Sequence, residues 1–90
     1  FPDFTRPATR QWGADLYQAH LDQGIAGFWH DMNEPAVMDR KPDPSLPLST
    51  RHHLEGRGGA HVEAHNLYGL LMARAGFEGL SQARPGQRRP

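Results

Sequence analysis

The run GFWHDMNEPAV, Gly27 to Val37, sets two carboxylates, Asp31 and Glu34, three residues apart, between an aromatic pair and a proline. Paired carboxyls can cleave a glycosidic bond. Held about 5–5.5 Å apart, one acts as a nucleophile; at about 6.5–9.5 Å they activate a water instead. Three residues of extended chain span roughly 10 Å and direct the two side chains to opposite faces. A turn at Met32-Asn33 would bring them closer, but the spacing leans against a pair. The plainer alternatives are a cap or turn role for Asp31 and a solvated loop acid in Glu34.

The histidines form the second group. His61 and His65, in HVEAH, lie one helical turn apart, a spacing that can chelate zinc. The order is not the H-E-x-x-H of zinc proteases, because the glutamate falls at Glu63, which is expected on the helix surface. The expected role of His61 and His65 is therefore packing or helix surface, with zinc as the alternative. His52 and His53 are adjacent and should point apart. Asn66 and Tyr68 either face a site or cap and pack. Asp39 and Asp43 around Lys41 lack the alternating ligands and central glycine of a calcium loop. The GRGG run, Gly56 to Gly59, is not followed by the Lys-Ser/Thr of a phosphate loop, so Arg57 reads as a solvated charge in a turn.

Several elements must position these residues. Thr5 is placed to cap a helix with Pro7 in its first turn. From Ala8 the spacing of Trp12, Leu16 and Ala19 predicts a helix with those residues inward, ending at Gly24. Ile25 to His30 is short and apolar without clean alternation, as in a strand buried on both faces of a parallel sheet. Asp31 to about Gly59 reads as a long loop with apolar anchors at Met32, Val37, Met38, Leu46 and Leu48. A second helix is predicted from about Ala60 to Leu80, with Val62, Leu67, Leu70, Leu71 and Phe77 as its apolar face. Ser81 to Pro90 reads as an exit, with a short, locally basic stretch from Arg84 to Arg89. A lone strand cannot satisfy its own edges. The α/β order therefore reads as about a third of a (β/α)8 barrel, which needs about 250 residues. Asp31 would then sit at the C-terminal end of a barrel strand, where such folds keep their chemistry, with Phe28 and Trp29 as a flat apolar wall.

Composition narrows the classes. Ninety residues make one small domain at most, with 10 basic and 10 acidic residues and no net charge. That balance argues against a nucleic-acid or anionic-membrane surface. No segment approaches the ~20 apolar residues of a membrane span. The chain has no cysteine, which excludes disulfides and thiolate metal sites and fits a cytoplasmic protein. It shows no signal-peptide pattern. Beginning at Phe1 without methionine, it reads as cut from something longer.

Three stretches in this order, FPDFTRP, GFWHDMNEPAV and GRGGAHVEAHNLYGLLMARAGFEGL, resemble glycoside hydrolase family 31, the α-glucosidase family. The likeness spans nearly all of residues 1–90. Its most specific element is W-x-D-M-N-E-P, Trp29 to Pro35, and HNLYGLLMARA, His65 to Ala75, is a second match. The resemblance implies a (β/α)8 barrel, with this segment as its third helix, fourth strand, the following loop and fourth helix. It implies Asp31 as the catalytic nucleophile, Glu34 as support for the site, and Trp29 and Met32 as lining for the non-reducing-end sugar. The DMNEP form is closer to the family's α-glucosidases than to its α-xylosidases. Gly13 departs from the second tryptophan that relatives often carry, and His30 fills a variable position. The implied substrate is an α-glucoside or malto-oligosaccharide, with no metal or organic cofactor. The implied general acid/base and further substrate contacts fall outside these residues.

Overall fold

The computed structural model describes residues 1–88. Helix α1 spans Pro7–Asp15 and α2 spans Gln18–Asp22. A two-residue strand β1, Arg51–His52, pairs antiparallel with β2, Gly59–Ala60. Helix α3 runs His61–Ala83, 23 residues, or about 35 Å. No helix among the described residues is long and apolar enough to cross a membrane.

Proline occupies the first turn of α1, where its missing N–H costs nothing. Thr5 does not cap the helix; Arg6 holds the cap position without a side-chain bond. The Thr5 hydroxyl bonds Asp3 Oδ1 at 2.6 Å and accepts the Leu54 amide at 2.8 Å. It ties the N-terminal segment to the far loop instead. The expected single helix breaks after Asp15 and resumes at Gln18. It ends where expected. Gly24 has φ +95°, and the amides of Gly24 and Ile25 bond the carbonyls of Leu21 and His20. That pairing closes a helix with a left-handed glycine.

Helix faces depart from the expected pattern. Trp12, Leu16 and Ala19 are exposed, whereas Arg10, Gly13, Ala14 and Leu21 are buried. On α3, Val62, Leu67, Leu70 and Phe77 are exposed, and the buried stripe is His61, Ala64, Tyr68, Ala75, Gly76, Gly79 and Leu80. The physical reason is close approach. A Cβ on Gly79 would lie 2.8 Å from the Ala14 carbonyl oxygen, so small residues bring α1 and α3 together and larger ones face outward. The core proper is Phe4, Tyr68 and Ala75, with Leu71 and Met72 packed on it. Phe4 and Tyr68 meet edge-on at 5.6 Å, a favoured aromatic geometry.

Ile25–His30 is not a strand among the described residues. A strand is defined by ladder bonds to a neighbour, and the described sheet contains only β1 and β2. Nor is the segment buried on both faces. Phe28 and His30 are half-buried while Trp29 and Asp31 are exposed, the two-residue alternation of a surface with one packed side. The long loop from Asp31 is irregular as expected up to Thr50, but then forms β1, a 3-10 turn at Leu54–Gly56 and β2. The exit also begins later than expected, because α3 continues through Ala83. Of the basic stretch, Arg89 lies outside the described residues, and the Arg84 guanidinium bonds the Leu21 carbonyl at 2.7 Å.

Candidate active site

Asp31 follows the segment whose inner face is held by α1–α2. Phe28 stacks edge-on against Tyr17 with centroids 4.4 Å apart and also meets the His20 ring. His30 is hydrogen-bonded through Nε2 to the Tyr17 hydroxyl. The opposite face carries Trp29, 88 % exposed, and the exposed Asp31 carboxylate. Met32 follows with φ +56°, a left-handed conformation that branched or bulky side chains rarely adopt. The turn is held from two sides. The Met32 amide donates to Asp31 Oδ1 at 2.9 Å, and the Ala36 amide donates to the Met32 carbonyl at 3.0 Å. Asn33 turns inward onto α3. Pro35 is fully buried and joined to Glu34 by a cis peptide bond.

Trp29, Asp31 and Met32 are thus all exposed, as is Glu34 just beyond them. Among the described residues the Asp31 carboxylate has the Met32 amide as its hydrogen-bond partner, and the Glu34 carboxylate has none. A carboxylate with most of its lone pairs uncommitted can approach an electrophile directly. An apolar hollow of about 300 Å³ lies elsewhere, among Phe4, Trp12, Leu16, Tyr17, Phe28 and Met72, and holds none of these four.

A second polar system is buried. Asp3 Oδ1 meets His52 Nδ1 at 3.0 Å, His52 Nε2 meets His61 Nδ1 at 3.0 Å, and His61 Nε2 meets His65 Nδ1 at 3.0 Å. Ser45 Oγ lies 3.4 Å from His65 Nδ1. Asp3 also accepts the amides of Thr5 and His53 and the Thr5 hydroxyl. Burial pushes its carboxyl up, but the bonds from Thr5, the His53 amide and His52 outweigh burial and hold it down at about 2. An ionised carboxylate only accepts, so His52 carries its proton on Nδ1. When neutral, His61 and His65 must do the same in turn. One aspartate orients three rings. Burial, reinforced by His52 and His65, lowers the proton affinity of His61 against the pull of Asp43.

His61 and His65 therefore pack, as expected, and both ring nitrogens of His61 are committed to other imidazoles. His52 and His53 point apart: His52 is buried, while His53 Nδ1 accepts the Gly56 amide at 3.0 Å. Tyr68 packs in the core and Asn66 is exposed. Glu63 is partly exposed on α3, reaching back to the Ala60 amide and out to Arg57 at 2.9 Å. Arg57 is exposed, as expected of a solvated charge, and also pairs with Glu63. Leu48 and Thr50 carbonyls accept the first amides of α3, those of Val62 and His61, groups a helix cannot satisfy internally.

Tyr17, Asn33, Asp3, Gly69 and Gly76 were not anticipated at either system. The glycines carried a readable signal. Gly69, Gly76 and Gly79 stand inside one helix, where each costs about 1 kcal/mol against alanine and so points to a packing requirement.

The family model described as the glycosyl hydrolases family 31 TIM-barrel domain matches residues 1–90. Alpha-glucosidase 2 of Bacillus thermoamyloliquefaciens is 36 % identical over 88 residues, 98 % of this chain and 11 % of that protein. Neutral alpha-glucosidase C of Macaca fascicularis is 38 % identical over 98 % of this chain and 11 % of its own length. Neutral alpha-glucosidase AB of Homo sapiens is 36 % identical over 100 % of the chain and 9 % of its own. The chain therefore spans about a tenth of the length of these relatives. It belongs to the glycosyl hydrolase family 31 TIM-barrel domains.

Proposed function

We propose that these residues supply the nucleophile of a retaining α-glucosidase, within a longer (β/α)8 barrel of which they form the third helix, fourth strand, following loop and fourth helix. The carrying observation is Asp31 in its W-x-D-M-N-E-P setting, exposed beside Trp29 and Met32 with one local hydrogen bond. Asp31 attacks the anomeric carbon of a terminal non-reducing α-linked glucose. The glycosidic bond breaks, and a β-glycosyl ester forms on its carboxylate. An acid outside residues 1–90 protonates the leaving oxygen, then takes a proton from the water that hydrolyses the ester. Trp29 and Met32 line the sugar site, and Glu34 supports its geometry. The names of the relatives support this substrate class.

In the complete enzyme, Asp31→Ala should lower kcat/KM for an aryl α-glucoside by about 10³-fold or more. Added azide should restore turnover and yield the β-glycosyl azide, since the anion then attacks the face that the carboxylate occupied. Loss of less than about tenfold sinks the assignment.

The 90 residues as a separate polypeptide should turn over nothing. Val62, Leu70 and Phe77 on α3, Trp12 on α1 and Leu16 just after it are all at least half exposed. A set of apolar side chains this large marks a face that a partner surface covers. Measurable turnover by the separate polypeptide would overturn this part of the proposal.

A further inference from the structure

The segment that carries Asp31 touches α3 on both sides of the carboxylate, and a glycine lies at each contact. His30, just before Asp31, rests on Gly76. A Cβ there would overlap the ring at Cε1, and would lie 3.0 Å from Nε2 and 3.3 Å from the Tyr17 hydroxyl. Asn33, two residues after Asp31, rests on Gly69. A Cβ there would meet the Asn33 carbonyl oxygen at 3.2 Å and its side-chain amide at 3.3 Å. Gly69 and Gly76 are seven residues apart, two helical turns, and so share one face of α3. The Tyr17 hydroxyl bonds the His30 ring at this same contact. Between these supports stand Asp31 and left-handed Met32, whose amide holds the Asp31 carboxylate.

We propose that Tyr17, His30, Gly69 and Gly76 are positioning residues for the Asp31 carboxylate. The inference rests on the reading of Asp31 as nucleophile. Asp31 has no long-range hydrogen bond among the described residues to aim it, so its direction comes from the backbone on either side. That backbone is set by how deeply His30 and Asn33 sit on α3. A nucleophile misplaced by about 1 Å can lose about 10²-fold in rate. None of the four touches substrate in this scheme. Their effect therefore falls on kcat and on formation of the glycosyl ester, which demand alignment of the carboxylate to about 1 Å, more than on the less exacting contacts of Trp29 and Met32 with the sugar.

The test is a cycle in the complete enzyme, with an aryl α-glucoside as substrate and a fluorinated α-glucosyl fluoride to trap the ester on Asp31. Gly76→Ala should lower kcat by about tenfold or more, leave KM within about threefold, and slow trapping in parallel. His30→Ala empties the space that the new methyl needs. The double variant should therefore match His30→Ala alone, where independent losses would multiply. Parental kcat in Gly76→Ala, or multiplying losses, overturns the proposal. If Gly76→Ala does not accumulate as folded protein, Tyr17→Phe decides. It keeps the ring on Phe28 and removes only the hydroxyl. It should lower kcat at least about threefold with KM unchanged, and parental kcat overturns the assignment. Asp31→Ala separates the two claims. If it abolishes trapping while the support variants behave as parent, the nucleophile stands and the positioning role falls. If Asp31→Ala retains activity and trapping, the underlying reading falls.

Discussion

Asp3 and Asp31 are the same residue in opposite conditions. Asp3 accepts four hydrogen bonds, from the Thr5 amide and hydroxyl, His52 Nδ1 and the His53 amide. Its lone pairs are spent on joining the N-terminal segment to β1. Asp31 accepts one, from the next residue, and faces outward. Saturation makes a carboxylate a structural anchor, because the donors hold it ionised and in place. Sparse local bonding leaves a carboxylate able to meet an electrophile, provided the chain beneath it is rigid. The molecule supplies that rigidity through His30, Asn33 and α3. Support and availability are thus given by different atoms: the neighbours are half-buried, and the Asp31 carboxylate is exposed.

The sharpest way to break the comparison is to remove each aspartate and read both properties. Asp31→Ala should cost about 10³-fold in kcat/KM and change unfolding stability by no more than about 0.5 kcal/mol, as for other exposed sites. Asp3→Ala should do the reverse. It leaves the His53 amide, the Thr5 hydroxyl and His52 Nδ1 without their acceptor, at a cost of about 2–4 kcal/mol. Urea midpoints together with aryl α-glucoside kinetics on the complete enzyme check both. Large stability losses in both variants would show that the two sites are not divided in this way.

Acid should weaken the anchor in two stages. Burial and the flanking His52 and His65 hold the folded-state pKa of His61 below its ordinary 6.5, against the pull of Asp43. The unfolded chain therefore binds a proton there more readily than the folded one. The resulting stability is complete above pH 6.5 and declines as pH falls below it. The Asp3 carboxyl is held at about 2 in the fold against 3.8 ordinarily. Its contribution is present above pH 3.8 and is lost as pH falls toward 2. Denaturation midpoints measured from about pH 8 to about pH 2 should decline in both ranges, and Asp3→Asn should flatten the lower one. A profile unchanged by Asp3→Asn would contradict the saturated-anchor account.

Glu34 tests the comparison from within the motif. It is exposed, with no hydrogen-bond partner among the described residues. If it only supports the geometry of the site, Glu34→Gln should reduce kcat/KM by about tenfold, or about 1.4 kcal/mol of barrier. A general acid or base at this position would lose about 10²–10⁴-fold and shift one limb of the pH–rate profile. The two outcomes are distinguished by a pH series on the variant.

The Asp31 side of this division is legible in the residues themselves, and the Asp3 side is not. The closeness of Trp29, Asp31 and Met32 is readable because the motif is contiguous. Helix α3 and the glycine stop at Gly24 were readable because caps and periodicity are local. The inward faces of α1 and α3 were not. Apolar spacing names a face to be covered without saying which neighbour covers it, and here Gly79 and Ala14 bring the helices together while Leu70 and Phe77 face outward. Ile25–His30 forms no ladder among the described residues for a related reason: ladder bonds need a partner strand, which the described residues do not contain. The Asp3–His52–His61 connection joins residues 49 and then 9 positions apart. No periodic pattern links such positions. His61 and His65 gave their spacing but not their partners.

The histidine chain should weaken toward its far end, and Ser45 is where that can be measured. The bonds from Asp3 to His65 are all 3.0 Å, but Ser45 Oγ stands 3.4 Å from a nitrogen that already faces His61. With His65 Nδ1 donating to His61 Nε2, the serine hydroxyl finds no lone pair on that nitrogen and can only share its proton at long range. Removing the hydroxyl therefore takes away little. Ser45→Ala should change the urea midpoint by the equivalent of about 0.5 kcal/mol or less. A cost above about 1.5 kcal/mol would mean that the serine donates to His65 Nδ1. His65 would then hold its proton on Nε2, and His61 would have to donate from both nitrogens as an imidazolium. That result would place a positive charge in the middle of the chain and reverse the direction of its last link, His61 to His65, so this smallest expected effect discriminates between the two charge states of the buried anchor.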